Sequence, residues 1–180
     1  MKPQRRSRLL APAGLCLAAL FLLGSTWRPS PPPVLWNLSE SAPRGVYLRL
    51  DQGAPEVGDW VAACLPERLA TFGRHRGYLA RGSCPGGAAP VIKRLAAAAG
   101  AEIELGPEGL LVDGAPQPGS RPFTVDSSGR DLPPTVRYPY RVAPGHVLLL
   151  TGVADSWDGR YFGALPEGAL LGVYRRIELP

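Results

Sequence analysis

Histidine and lysine are scarce in this 180-residue chain, two of each. A serine–histidine–aspartate triad would have to recruit His75 or His146, and nothing in the surroundings of either favours it. His146, in PGHVLLL, reads as a strand-edge residue. A zinc centre needs more ligands, at proper spacing. DSSGRD (126–131) has no metal-loop spacing, so no metal and no cofactor are expected. Cysteine is scarce too, three in all, and internal repeats are absent. The formal charge of +5 would suit nucleic acid, but Lys2, Arg5, Arg6 and Arg8 supply four of the positive charges. The other 16 basic and 15 acidic residues nearly cancel. A nucleic-acid face needs a basic cluster of its own, and Arg74, His75 and Arg76 with Arg81 nearby form the only tight one. Nucleic acid is therefore not an expected partner.

The basic tail precedes LLAPAGLCLAALFLL, and no charge falls between Leu9 and Trp27. Basic residues followed by an apolar run mark a membrane-targeting segment. Its 19 residues just suffice to span a bilayer as a helix. Residues 1–27 are read as a cytoplasmic tail and a single uncleaved anchor, a cleavable leader being the alternative. The positive-inside rule puts the tail in the cytoplasm and the rest of the chain outside. Residues 28–36, with Pro29, Pro31, Pro32 and Pro33, read as a stiff spacer, and residues 37–180 as the exported domain. Cys16 lies in the apolar segment and is assigned to packing. Cys64 and Cys84 lie in the exported part, where an oxidising compartment favours a disulfide. Two buried free thiols are the alternative.

With 22 glycines and 21 prolines, short apolar runs alternate with turn signals, which predicts a mostly β, barrel-like or sandwiched domain. GVYLRL (45–50), EVGDWVAAC (56–64), GHVLLLTG (145–152) and GALLGVYRRIEL read as strands, with a Gly-Asp turn inside the second. PERLATFG (66–73) suits a short helix. ELGPEGLLVDGAPQ carries an Asp-Gly hairpin signal, and Gly119–Pro139 reads as a long surface connection. PVIKRLAAAAG is ambiguous between helix by its alanines and strand by its context.

Outside the tail, fifteen of sixteen basic residues are arginine, and the exception is Lys93. Lysine can shed its proton near neutral pH when desolvated, which arginine cannot. Val91, Ile92, Leu95 and the alanines supply apolar surroundings. A neutral lysine is a general base, and a base asks for a nucleophile. The plainer alternative is a lysine snorkelling from a sheet edge. In NLSESAPRGVY (37–47), Ser39 and Ser41 fall on the same side of an extended chain, Pro43 fixes the backbone beyond them, and Gly45 permits close approach. Ser41 as nucleophile and Ser39 as oxyanion donor fit this pattern. Two serines capping a turn fit it as well.

The ordered series SESAPRGVY, EVGDWV, VIKRLAA, APGHVLLLTG and DSWDGRYFGALPEGALLG resembles the type I signal peptidase superfamily. Within it, the likeness is to the signal peptidases of conjugative transfer systems. It runs from about Trp36 to Arg175. The resemblance implies a catalytic core of coiled β-sheets behind an N-terminal transmembrane helix. It implies Ser41 as nucleophile, Lys93 as general base, and Ser39 in the oxyanion hole with the Ser41 amide. Ser156 would orient the lysine amine, and Asp158 and Arg160 would support the site as an ion pair. PVIKRLAAAAG becomes a strand at least in its first half. The implied substrate is a pilin or other exported precursor. A catalytically inactive periplasmic scaffold of the same fold and a general signal peptidase are the alternatives. Three stretches depart from the pattern: AAAGAE after the lysine box, TGVADS before the last box with Asp155 shifted, and DGR in place of Asp-Ser-Arg.

Overall fold

The computed structural model describes residues 31–51, 53–132 and 136–178. The basic tail, the anchor with Cys16 and most of the spacer lie outside the described residues. No helix among the described residues is long and apolar enough to cross a membrane. Eleven of the twelve strands among the described residues form two antiparallel sheets, as the spacing of apolar runs and turns predicts.

The larger sheet orders β1 (Val34–Asn37), β2 (Gly45–Arg49), β12 (Leu170–Arg176), β3 (Trp60–Ala63), β5 (Val91–Ala97), β10 (His146–Leu150) and β11 (Leu165–Pro166). The smaller orders β8 (Ala115–Pro116), β7 (Gly109–Val112), β6 (Glu102–Gly106) and β9 (Tyr140–Arg141). β4 (Arg81–Cys84) lies outside both. The first strand starts at Val34, within the stretch read as spacer. Residues 56–59 are turn rather than strand, so only the second half of EVGDWVAAC extends. Asp113–Gly114 turns β7 into β8, as the Asp-Gly signal predicts.

The position of β5 resolves the ambiguity of its sequence. It sits between β3 and β10, and its side chains enter separate apolar clusters: Val91 and Leu95 one, Ile92 a second and Ala97, beyond a register shift against β10, a third, with Lys93 buried among them. A strand covered on both sides needs no polar alternation, so the alanines are tolerated through Ala97. β10 shows the same logic. Val147 and Leu149 join a core with Val61 and Leu95, while Leu148 and Leu150 join one with Ile103, Leu110 and Val142. The sheet therefore separates two apolar layers, which fixes β5 and its lysine in the middle of the domain.

Helix α1 (Glu67–His75) follows β3. The cysteine pair forms as the exported setting predicts: Cys64 and Cys84 are bonded, with Cα atoms 5.3 Å apart, at the ends of the segment that contains α1. Closing a loop of this length contributes about 3 kcal/mol on a chain-entropy estimate. The double variant Cys64→Ser/Cys84→Ser is expected to melt about 6–12 °C lower, read by thermal unfolding of the oxidised protein.

Candidate active site

Asn37 of β1 pairs with Gly45 of β2, so residues 38–44 form the loop that carries both serines. The stretch is a turn, not the extended chain the Ser-x-Ser argument assumed. The hydroxyls still meet, Ser39 Oγ and Ser41 Oγ being 3.0 Å apart. The loop is closed by Asn37, whose Nδ2 donates to the carbonyls of Ser39 (3.0 Å), Ala42 (2.9 Å) and Pro43 (3.2 Å). The Tyr47 hydroxyl also donates to the Pro43 carbonyl, at 2.8 Å. Ala42 is buried in one cluster with Ile92 of β5, which seats the loop against the lysine-bearing strand. Gly45 has φ of +139°, and a Cβ there would lie 3.2 Å from Arg176 Nε. Glycine is the residue that accepts that backbone.

Lys93 points inward, 3% exposed. Its Nζ donates to Ser156 Oγ at 2.6 Å. Burial lowers its pKa from 10.5 to about 8. Asp158 and Asp155 oppose that shift and Arg160 adds to it, all as smaller effects. Desolvation wins because Asp158 is already neutralised by its own partner, described below. Ser39, Ser41, Lys93, Asp155 and Ser156 line one cleft of about 440 Å³. Among the described residues no direct hydrogen bond joins Ser41 to Lys93.

Ser156 is held by the segment from Thr151 to helix α2 (Gly159–Phe162). Asp158 and Arg160 are both fully buried and paired, with Nε–Oδ1 and Nη2–Oδ2 each at 2.8 Å. The Asp158 carboxylate also accepts from the amides of Thr151 (3.0 Å) and Arg160 (3.1 Å). The guanidinium donates to the carbonyls of Thr151 (2.9 Å), Val153 (3.0 Å), Ala154 (2.9 Å) and Gly119. The segment is thus wound around one cation, and all the polar atoms of a charge-costly burial are met. Asp158 and Arg160 form the ion pair that the resemblance implies.

Two features of the site lie outside the expectations from sequence. Asn37 was not singled out, although an Asn two positions before a serine is a recognisable turn-forming signal. The aromatic wall was not foreseen either. Trp157 stacks on Phe72 of α1 at 5.2 Å and on Tyr161 at 5.4 Å between centroids, with Tyr78 5.4 Å away. Those residues come from two stretches far apart in the sequence, and no local periodicity brings them together. Trp36 and Leu38, each 74% exposed, add an apolar rim to the same cleft.

The architecture and cleft define an antiparallel β protein whose concave surface brings a serine-bearing loop and a buried lysine together. The chain belongs to the signal peptidase family, peptidase S26, whose family description matches residues 6–177. Its curated relatives include a probable conjugal transfer protein TraF of Sinorhizobium fredii, 35% identical, covering 94% of this chain and 88% of that protein. A plasmid transfer protein TraF of Escherichia coli is 35% identical and covers 89% of each. A conjugal transfer protein TraF of Agrobacterium tumefaciens is 38% identical over 78% of this chain and 80% of that one. A crystal structure of a signal peptidase I from Enterococcus faecalis matches at a TM-score of 0.38 and 18% identity, over 67% of this chain and 97% of that chain. That likeness is too distant to inform the site.

Proposed function

We propose that the chain is a membrane-anchored serine endopeptidase that cuts an exported precursor protein, using Ser41 as nucleophile and Lys93 as general base. The observation that carries this reading is the buried Lys93 amine, held by Ser156 at 2.6 Å in the cleft that also contains Ser41. Neutral Lys93 takes the Ser41 proton as Oγ attacks the scissile carbonyl. The resulting oxyanion is met by the Ser41 amide and the Ser39 hydroxyl. Lys93 then returns its proton to the leaving amine, and water resolves the acyl-enzyme. The names of the relatives point to conjugation, and the substrate proposed is a pilin precursor of such a transfer system. The uncharged segment from Leu9 to Trp27 anchors the enzyme in the bacterial inner membrane, with its tail cytoplasmic and its cleft periplasmic.

The base works only when neutral. Below the Lys93 pKa of about 8, kcat/KM is expected to rise about tenfold per pH unit, levelling off above it. A profile flat from pH 6 to 9 would remove Lys93 from the proton transfer. The reading itself is tested by mass spectrometry of the pilin precursor co-expressed with wild-type or Ser41→Ala protein. Trimming with the wild type alone is the expected result. Equal trimming by both would exclude Ser41 as nucleophile, and a precursor left whole by the wild type would exclude it as substrate.

A further inference from the structure

The amide orientation of Asn37 follows from its neighbours. One end faces three carbonyl oxygens, of Ser39, Ala42 and Pro43, at 2.9–3.2 Å. The other end lies 3.2 Å from the Ser39 amide nitrogen. Carbonyls only accept and an amide N–H only donates, so the first end is Nδ2 and the second is Oδ1. That assignment orders the hydroxyls. Oδ1 also lies 2.9 Å from Ser39 Oγ, and, as an acceptor, it draws the Ser39 proton. Ser39 Oγ then has only lone pairs to offer Ser41 Oγ at 3.0 Å, so the Ser41 proton points at Ser39. Asn37 is only 8% exposed, which shields its side chain from water, while the Ser39–Ser41 contact lies open to the cleft.

We infer that Asn37 is the positioning residue of the nucleophile loop: it sets the direction of the Ser41–Ser39 hydroxyl chain and pins the backbone on both sides of Ser41. The inference rests on the peptidase reading above. It has two consequences. In the resting enzyme the Ser39 proton is committed to Asn37, so Ser39 serves the oxyanion only after its hydroxyl turns away from Oδ1. Likewise the Ser41 proton leaves Ser39 before it reaches Lys93. Throughout, the Nδ2 bonds to Ala42 and Pro43 hold the Ser41 amide and Cβ still while the two hydroxyls rotate. Asn37 thereby acts on the chemical step through Ser39 and Ser41 rather than on substrate affinity.

The test uses the full chain in detergent micelles with the purified pilin precursor as substrate. Asn37→Ala is expected to lower kcat about 10- to 100-fold, the range for misplacing a nucleophile through a lost buried hydrogen bond, with KM within about threefold of wild type. Ser39→Ala is expected to lower kcat as well. The double variant should be little worse than the poorer single one, because the chain is already broken. Asn37→Asp, which keeps the shape and the acceptor but loses the Nδ2 donors, serves if the alanine variant folds poorly. It is expected to lose kcat through the freed loop. Wild-type kcat in both Asn37 variants overturns the inference, as does full additivity with Ser39→Ala or a rise in KM alone. Those outcomes leave the peptidase reading intact when Ser41→Ala is dead. Cleavage by Ser41→Ala at the wild-type rate overturns both.

Discussion

Lys93→Arg is expected to abolish precursor cleavage, lowering kcat/KM by at least about a thousandfold, although it preserves the formal charge. The reason is the proton and not the charge. A guanidinium stays protonated at every working pH, so the Ser41 proton has no acceptor. Lys93→Met is expected to be equally inactive but to differ in stability. The amine titrates at about 8 in the fold against 10.5 ordinarily. Between those values the unfolded chain holds a proton that the folded chain has shed. Stability therefore rises with pH across that window and is lost as pH falls through it. At neutral pH the buried cation weighs on the fold by something on the order of 3 kcal/mol, partly offset by its bond to Ser156. Removing it should leave the melting temperature at pH 7 at or above that of the wild type. Lys93→Arg should melt lower, since the larger group cannot neutralise itself. Steady-state cleavage and thermal unfolding of the same three proteins check both halves. Wild-type cleavage by Lys93→Arg would remove Lys93 from the proton transfer.

Arg160→Met is expected to be the most destabilising single substitution in the domain. It strands a fully buried Asp158 carboxylate and takes the donors from four carbonyls at once. Breaking a buried pair by removing one partner costs about 3–5 kcal/mol, which corresponds to a melting temperature lower by about 6–20 °C in a domain of this size. Arg160→Lys is expected to rescue little, because one ammonium cannot replace a planar fork spread over five acceptor groups. The double variant Asp158→Leu/Arg160→Met should melt above Arg160→Met alone, since it leaves no orphaned charge. Activity should fall with stability in every case, because the segment wound around Arg160 places Ser156 against Lys93. Thermal unfolding checks the order, and an Arg160→Met protein as stable as wild type would contradict it.

The parts of this fold that the sequence makes legible are those with local chemistry. The Asp-Gly hairpin after β7, the helix after Pro66 and the buried strand at 146–150 each follow from a few adjacent residues. The strand through Lys93 was readable only with the family resemblance beside it, because its alanines favour helix and burial on both faces of β5 overrides that preference. Lys93 stood out because it is the one lysine beyond the tail. The arrangement of Ser39 and Ser41 was reached by an argument from extended geometry, while the structure uses a turn instead. Asn37, Tyr47 and the Asp158–Arg160 pair control that turn and its neighbour through contacts with carbonyls. Such contacts depend on three-dimensional closure and leave little trace in residue order. The aromatic wall around Trp157 joins α1 to the segment before β11 for the same reason.

The central claim is that Lys93 sheds its proton near pH 8, well below a free lysine, and the chain's poverty in lysine makes it directly measurable. Lys2 and Lys93 are the only two lysines, so full-length protein carrying ¹³C-labelled lysine gives two ε-methylene signals, the one from Lys93 being identified by its loss in Lys93→Met. Followed by NMR in micelles from pH 6 to 11, the Lys93 signal is expected to titrate at about 8, against about 10.4 for a free lysine. Two signals titrating together near the free value would contradict a neutral base at position 93, and with it the proton transfer on which the account of this site is built.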